Sequence, residues 1–308
     1  MKPIDGVGRS PSVRIGSRGS KLSLWQARWV AERLGAALPR RSIEIVPIVT
    51  RGDVNQGPLT DLSESGVFTS ELEIALGAGR VDVAVHSLKD LPVDASGGFP
   101  IVAVPLRGDP ADALVSRDGL TLASLPPGAR VGTSSPRRAC LVRSLRPDVE
   151  VAPIRGNVDT RVRRIDEGTY DAIVLAVAGL ARLGLEGRIS ERLDPRRYPP
   201  APGQGALAVQ VREGDAELHA VVVAMDDPEA RSTITAERTC LSALGGGCSR
   251  PVGAHAWWSG GELHMAAFVG SPDGKTILRA SGSGTVPESV GEAAAEALLA
   301  QGAEALLG

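Results

Sequence analysis

Lys89 and Asp90 stand side by side where a run of alternating β-branched residues ends, in VDVAVHSLKDL over 81–91. The carboxyl edge of a parallel sheet is where such a fold presents groups to a ligand. Three other stretches carry arginine where a strand is expected to turn into a helix: Ser17-Arg18-Gly19-Ser20, Thr133-Ser134-Ser135-Pro136-Arg137-Arg138 and Arg155-Gly156-Asn157. Such a junction offers unpaired backbone N–H groups, the positive end of a helix dipole, and a Ser or Asn cap. Guanidinium groups added there make a socket for carboxylate or phosphate, which arginine grips through two parallel hydrogen bonds. Three sockets on facing α/β blocks fit a ligand with several negative charges. Asp90 inside that ring would accept N–H donors and stabilise a cationic intermediate. Taken singly, N-capping accounts for Ser135 and Asn157, and an ion pair accounts equally well for Lys89 and Asp90.

Cys248 lies in Gly245-Gly246-Gly247-Cys248-Ser249-Arg250-Pro251, a loop that lets backbone or ligand approach closely. Arg250 would favour its thiolate; a small residue filling a tight turn is the plain alternative. Cys140 and Cys240 fall on apolar helical patterns and read as core residues.

The elements that must hold these groups follow from periodicity. Residues 13–17 read as a strand, followed by a helix to about 38 on which Leu22, Trp25, Trp29 and Leu34 place apolar groups. A strand at 43–49, a polar connection at 51–66, a helix at 68–77 and the strand 81–87 complete one block. After β segments near 101–105 and 112–116, a second block alternates strand 130–133, helix 136–145, strand 149–154, helix 158–167 and strand 172–176. Such alternation implies βαβ units in a mainly parallel sheet. Past the turn at 195–202, GQGALAVQVR gives a strand expected to return to the first sheet. A helix from 228 to about 244, β segments near 252–258, 262–269 and 276–281, and a helix at 288–307 suggest a small α+β domain.

Composition narrows the classes. With 43% hydrophobic and 23% charged residues the chain reads as a globular protein, its cores built from Val, Leu, Ile and Ala because aromatics are only 3%. No apolar run approaches the roughly 20 residues of a membrane span, and the first residues have no secretory h-region. Three widely spaced cysteines without CxxC or suitably spaced histidines argue for reduced thiols in the cytoplasm, with no metal. The net charge of −2 gives no global reason to expect nucleic acid, but residues 130–164 hold nine arginines against three acids, a local excess of +6. Such a concentration points to an anionic ligand; a solvated helix face is the ordinary alternative.

VTRGD (49–53), VHSLKDLP (85–92), GTSSPRR (132–138), RGNVDTR (155–161), LAVAGLARLGL (175–185), PAPGQGA (200–206) and GGGCSRP (245–251) occur in that order. Together they resemble the hydroxymethylbilane synthase (porphobilinogen deaminase) family over nearly the whole chain. The resemblance implies an α/β fold of two similar periplasmic-binding-protein-like lobes with a hinge, plus a small C-terminal α+β domain. The first lobe would comprise 1–106 and 203–224, the second 107–202 and the third domain 225–308. It also implies a cytoplasmic monomer, without nucleic-acid or membrane partners, that condenses four porphobilinogen molecules with release of ammonia. The product would grow on a dipyrromethane cofactor held by a thioether to Cys248. By motif position Asp90 is catalytic. Lys89, Asp90, Ser135, Arg137, Arg138 and Arg161 accompany Cys248 at the cofactor, and Arg18, Ser20, Phe68, Thr133, Arg155, Arg182 and Gln204 meet substrate. The stretch 58–68 departs from the family pattern, with Asp61 and Ser65 where lysine is frequent and Glu64 in place of glycine.

Two rivals use the same residues differently. A non-catalytic two-lobed binding protein would employ the arginine sockets but has no use for Cys248 or Asp90. An RNA-binding protein would employ 130–164, but that stretch lacks interleaved aromatics for base stacking, Tyr170 and Tyr198 being the nearest on its C-terminal side.

Overall fold

Valine and isoleucine alternate through the short strands, and helices cover the sheets they build. β1 (Val13–Arg18), α1 (Lys21–Ala37), β2 (Ile43–Ile48), α2 (Ser70–Gly77), β3 (Val83–Ser87) and β4 (Ile101–Ala103) form most of the first lobe. β5 (Asp112–Ser116), β6 (Arg130–Gly132), α3 (Pro136–Leu145), β7 (Glu150–Ala152), α4 (Val158–Asp166), β8 (Ala172–Ala176), α5 (Val177–Arg182) and β9 (Glu191–Leu193) form the second. β10 (Leu207–Val211) and α6 (Ala216–Val223) return to the first lobe. These positions come from a computed structural model that describes residues 12–49, 70–93, 98–246 and 250–307. The 58–68 stretch, Phe68 and Cys248 lie outside the described residues.

The two five-stranded sheets share one topology, β2-β1-β3-β10-β4 and β7-β6-β8-β5-β9. In each, three parallel strands are followed by an antiparallel one that the chain delivers as it crosses from the other lobe. The sheets are therefore mixed where strand–helix alternation implied mainly parallel pairing, because β5 and β10 are crossing strands and follow no crossover helix of their own. β10 does return to the first sheet, between β3 and β4. The crossings run side by side, with Gly108 N–H donating to the Gly205 carbonyl at 3.1 Å. Gly205 has φ +89°, and a Cβ there would meet the Gly108 carbonyl oxygen. Only glycine permits both the left-handed backbone and that approach.

The third domain is an antiparallel meander of β11 (Val252–Ser259), β12 (Glu262–Gly270) and β13 (Ile277–Gly284). It is backed by α7 (Pro228–Ala243) and α8 (Pro287–Ala300), with α9 (Glu304–Leu307) after the left-handed Gly302, which breaks the single helix expected over 288–307. Glu237 on α7 joins this domain to both crossings. Its carboxylate, wholly buried, accepts from Arg107 Nη1 and Nη2 at 2.8 and 3.0 Å, Gly203 N–H at 2.8 Å and Ala256 N–H at 2.9 Å.

Burial alone would raise the Glu237 pKa, but the Arg107 charge and the hydrogen bonds hold it at about 2 against an ordinary 4.5. A depressed carboxylate stabilises the fold above its unfolded pKa, and that contribution is lost as pH falls toward the folded value. Glu237→Gln leaves Arg107 without its counter-charge, and about 3–5 kcal/mol of stability should be lost at pH 7. Urea denaturation at pH 7 and pH 3 checks this: the deficit of the variant should shrink at the lower pH.

Candidate active site

The carboxyl ends of parallel strands from both lobes open onto one cavity of about 850 Å³. β1 delivers Arg18, and Ser20 next to it caps α1 by accepting from Ser23 N–H at 3.1 Å. β3 runs into the single 3-10 turn Leu88–Asp90, which places Lys89 and Asp90 in the wall. From the second lobe, the turn after β7 supplies Arg155, α4 supplies Arg161 and Arg164, α3 supplies Arg138, and α5 supplies Arg182. Among the described residues of the wall, seven cations face one carboxylate, Asp90. A wall so charged favours an anionic occupant.

The cations are held in distinct ways. Arg161 Nε donates to the Gly156 carbonyl at 2.7 Å, and Arg182 Nη2 donates to the Gly205 carbonyl at 2.6 Å while lying 5.7 Å from the Trp25 ring centre. Burial lowers the pKa of both to about 10, and for Arg161 the charges of Arg138, Arg155 and Arg164 add to it. Burial, followed by the Arg138 charge, brings Lys89 down to about 8, with Asp90 and Asp112 opposing. Asn157 occupies the cap position of α4, yet its side chain makes no capping hydrogen bond and lines the cavity instead. The N-terminus of that helix is thus left to a ligand, contrary to the expectation from N-capping alone.

Behind the wall lies a polar knot centred on Asp112, the first residue of β5, 1% exposed. Its Oδ2 accepts from Arg137 Nη1 at 2.7 Å, and its Oδ1 accepts from Arg138 Nε and Nη2 at 3.0 and 2.7 Å and from Gln204 Nε2 at 2.9 Å. Gln204 Oε1 in turn accepts from Lys89 Nζ at 3.1 Å and Arg138 Nη2 at 3.3 Å. Burial by itself would raise the Asp112 pKa, but the two guanidinium charges outweigh it and hold the carboxyl far below the usual range.

The cavity therefore unites Arg18, Ser20, Lys89, Asp90, Arg138, Arg155, Arg161 and Arg182 of the residues singled out by sequence. Arg137, Thr133, Ser135 and Gln204 sit behind its described lining. Arg137 also donates to the Pro199 carbonyl at 3.1 Å, Thr133 Oγ1 accepts from Ser135 N–H, and Ser135 caps α3. Sequence reasoning missed Asp112, whose only signal was an acid heading the apolar strand DALVS. It also missed that Leu22 and Trp25 turn toward the second lobe, leaving Ala27, Val30 and Leu34 to pack α1 on its own sheet. A group bearing several carboxylates fits this donor set.

Lys89 should be acetylated by acetic anhydride with a half-maximal rate near pH 8, read from the masses of peptides carrying Lys2, Lys21, Lys89 and Lys275. A midpoint at the ordinary 10.5 would show that burial does not act on this amine as described.

A family model described as porphobilinogen deaminase, dipyromethane cofactor binding domain, matches residues 13–220, and a second, porphobilinogen deaminase, C-terminal domain, matches 231–300. The chain is 50% identical to the porphobilinogen deaminase of Roseiflexus castenholzii over 96% of this chain and 98% of that protein. With its namesake from Thiobacillus denitrificans the identity is 44% over 96% and 98%. Among solved structures, the periplasmic aliphatic sulphonate binding protein SsuA from Escherichia coli is similar with a TM-score of 0.38, 16% identity, 75% of this chain and 70% of that chain covered.

Proposed function

The chain belongs to the porphobilinogen deaminase family, and on that premise we propose that its cleft joins four porphobilinogen molecules head to tail, releasing one ammonia at each addition, to form hydroxymethylbilane. The observation that carries this reading is that, among the described residues, seven cations and one carboxylate line the cavity. Each porphobilinogen brings an acetate and a propionate, so the occupant gains negative charge with every step. Fixed guanidinium groups meet those carboxylates without reorganising.

Asp90 accepts the N–H of the reacting pyrrole and stabilises the positive charge that develops as ammonia departs. Its place in the cavity wall also suits it to receive the proton released from the pyrrole α-carbon. Lys89, held by Gln204 and brought to about 8 by burial, lies next to it and exchanges a proton close to neutral pH. Arg18, Arg155 and Arg182, with Ser20, hold substrate carboxylates; Thr133, Gln204 and Phe68 are assigned to substrate by motif. Dipyrromethane, when bound through Cys248, supplies a covalent starting point whose terminal pyrrole carbon is the nucleophile. Arg138 and Arg161 in the wall suit its carboxylates, with Lys89, Asp90, Ser135 and Arg137 assigned to it by motif.

The adjoining crossings support a division into lobes of 1–106 with 203–224, and 107–202, and a third domain at 225–308. Among the described residues no helix is long and apolar enough to cross a membrane. We assign the enzyme to the cytoplasm as a monomer acting on a small molecule, with no nucleic-acid partner.

Intact mass of protein from cells making porphobilinogen should exceed the polypeptide mass by two linked pyrrole units, and Cys248→Ser should lack the excess. Asp90→Ala should keep its fold by circular dichroism and lose at least about a thousandfold in turnover. Turnover near wild type would remove Asp90 from the chemistry.

A further inference from the structure

Outside the cleft, arginines of the basic stretch have acids of their own. Arg130 pairs with Glu150, Arg146 with Asp148, and Arg163 with Glu167, at 3.4, 2.7 and 3.4 Å. Behind the wall, Asp112 takes both Arg137 and Arg138. Arg164 differs. It is half-buried, it lines the cavity, and among the described residues its guanidinium has no hydrogen bond or ion pair.

Arg161 and Arg164 are three residues apart on α4 and so share one face of that helix, about 4.5 Å apart along its axis. With Arg155 in the preceding turn they form a row of cations along one side of the cleft, and the Arg164 charge is one of those that lower the Arg161 pKa. Repulsion of this kind disfavours the empty site and is relieved by an anion spanning the row. A solvated surface arginine would resemble Arg163, which points outward from the same helix and is 66% exposed in its side chain.

We propose that Arg164 is a carboxylate-binding residue of the cleft, taking the acetate or propionate of pyrrole units added after those that Arg155 and Arg161 hold. This rests on the synthase reading above. It assigns the extension of the row along α4 to the lengthening product.

The test mixes full-length holoenzyme with rising molar ratios of porphobilinogen and reads the intact-mass ladder, in which each addition contributes one porphobilinogen less one ammonia. Arg164→Gln should carry the normal primer and form the early additions. The later ones should fall by roughly tenfold relative to wild type, the size expected for one charge-assisted contact. Arg164→Lys should restore part of the loss, and Arg163→Gln should match wild type. In a readout free of turnover, benzenehexacarboxylate should raise the melting temperature of the Arg164→Gln holoenzyme less than that of wild type. A wild-type ladder in Arg164→Gln, or equal losses in Arg163→Gln, would overturn the assignment. Absence of any ladder in the wild type would instead overturn the synthase reading.

Discussion

One buried carboxylate sets the charge distribution of the whole cleft. Asp112 enters the second lobe at the head of a strand arriving from the first, and it collects two guanidinium groups and the Gln204 amide. A buried ion pair stabilises little beyond an apolar packing of the same volume, while a broken one is severely destabilising. Its value here is in placement. By drawing Arg137 behind the wall and fixing Arg138 along it, Asp112 decides which cations of GTSSPRR face the cavity. Through Gln204 the same knot reaches Lys89 on the opposite lobe, so catalytic turn, hinge and anion-binding helix are referenced to one point.

Local signals in the sequence were sufficient for much of this. Helix 136–145 and strands 112–116 and 172–176 match the structure residue for residue, because proline at the first helical position and short apolar runs act within a few residues. Arg18, Lys89, Arg138 and Arg155 were legible for the same reason, since a strand end followed by a cap is a local pattern; Arg161 and Arg182 came only through the family resemblance, and Arg164 from neither. Pairings distant in the chain were not. Part of the +6 counted over 130–164 is met by Asp112 and Glu167, both outside that window. Periodicity placed apolar groups on α1 but cannot tell which of two surfaces a residue meets, and Leu22 and Trp25 meet the other lobe.

The lobes are joined unequally, and that asymmetry matters for a product that lengthens stepwise. At the hinge the connections are buried and charged or backbone-mediated, through Asp112, Gln204, Glu237 and the Gly108–Gly205 pair. Across the facing helices they are thin. Lys21, 75% exposed, meets Asp159 at 2.9 Å; Trp25 lies under Arg182; and Leu22 approaches Gly179. An exposed ion pair is worth about 0–1 kcal/mol and a half-buried cation–π contact about 1–2, less than the roughly 3–5 kcal/mol lost when a buried pair of the hinge is broken. Lys89 and the arginine knot are thus tied together at the hinge, while the contacts across the mouth are few. A reaction repeated on a growing substrate favours that division, because the reacting groups must keep one geometry at every addition while the volume beside them is filled step by step.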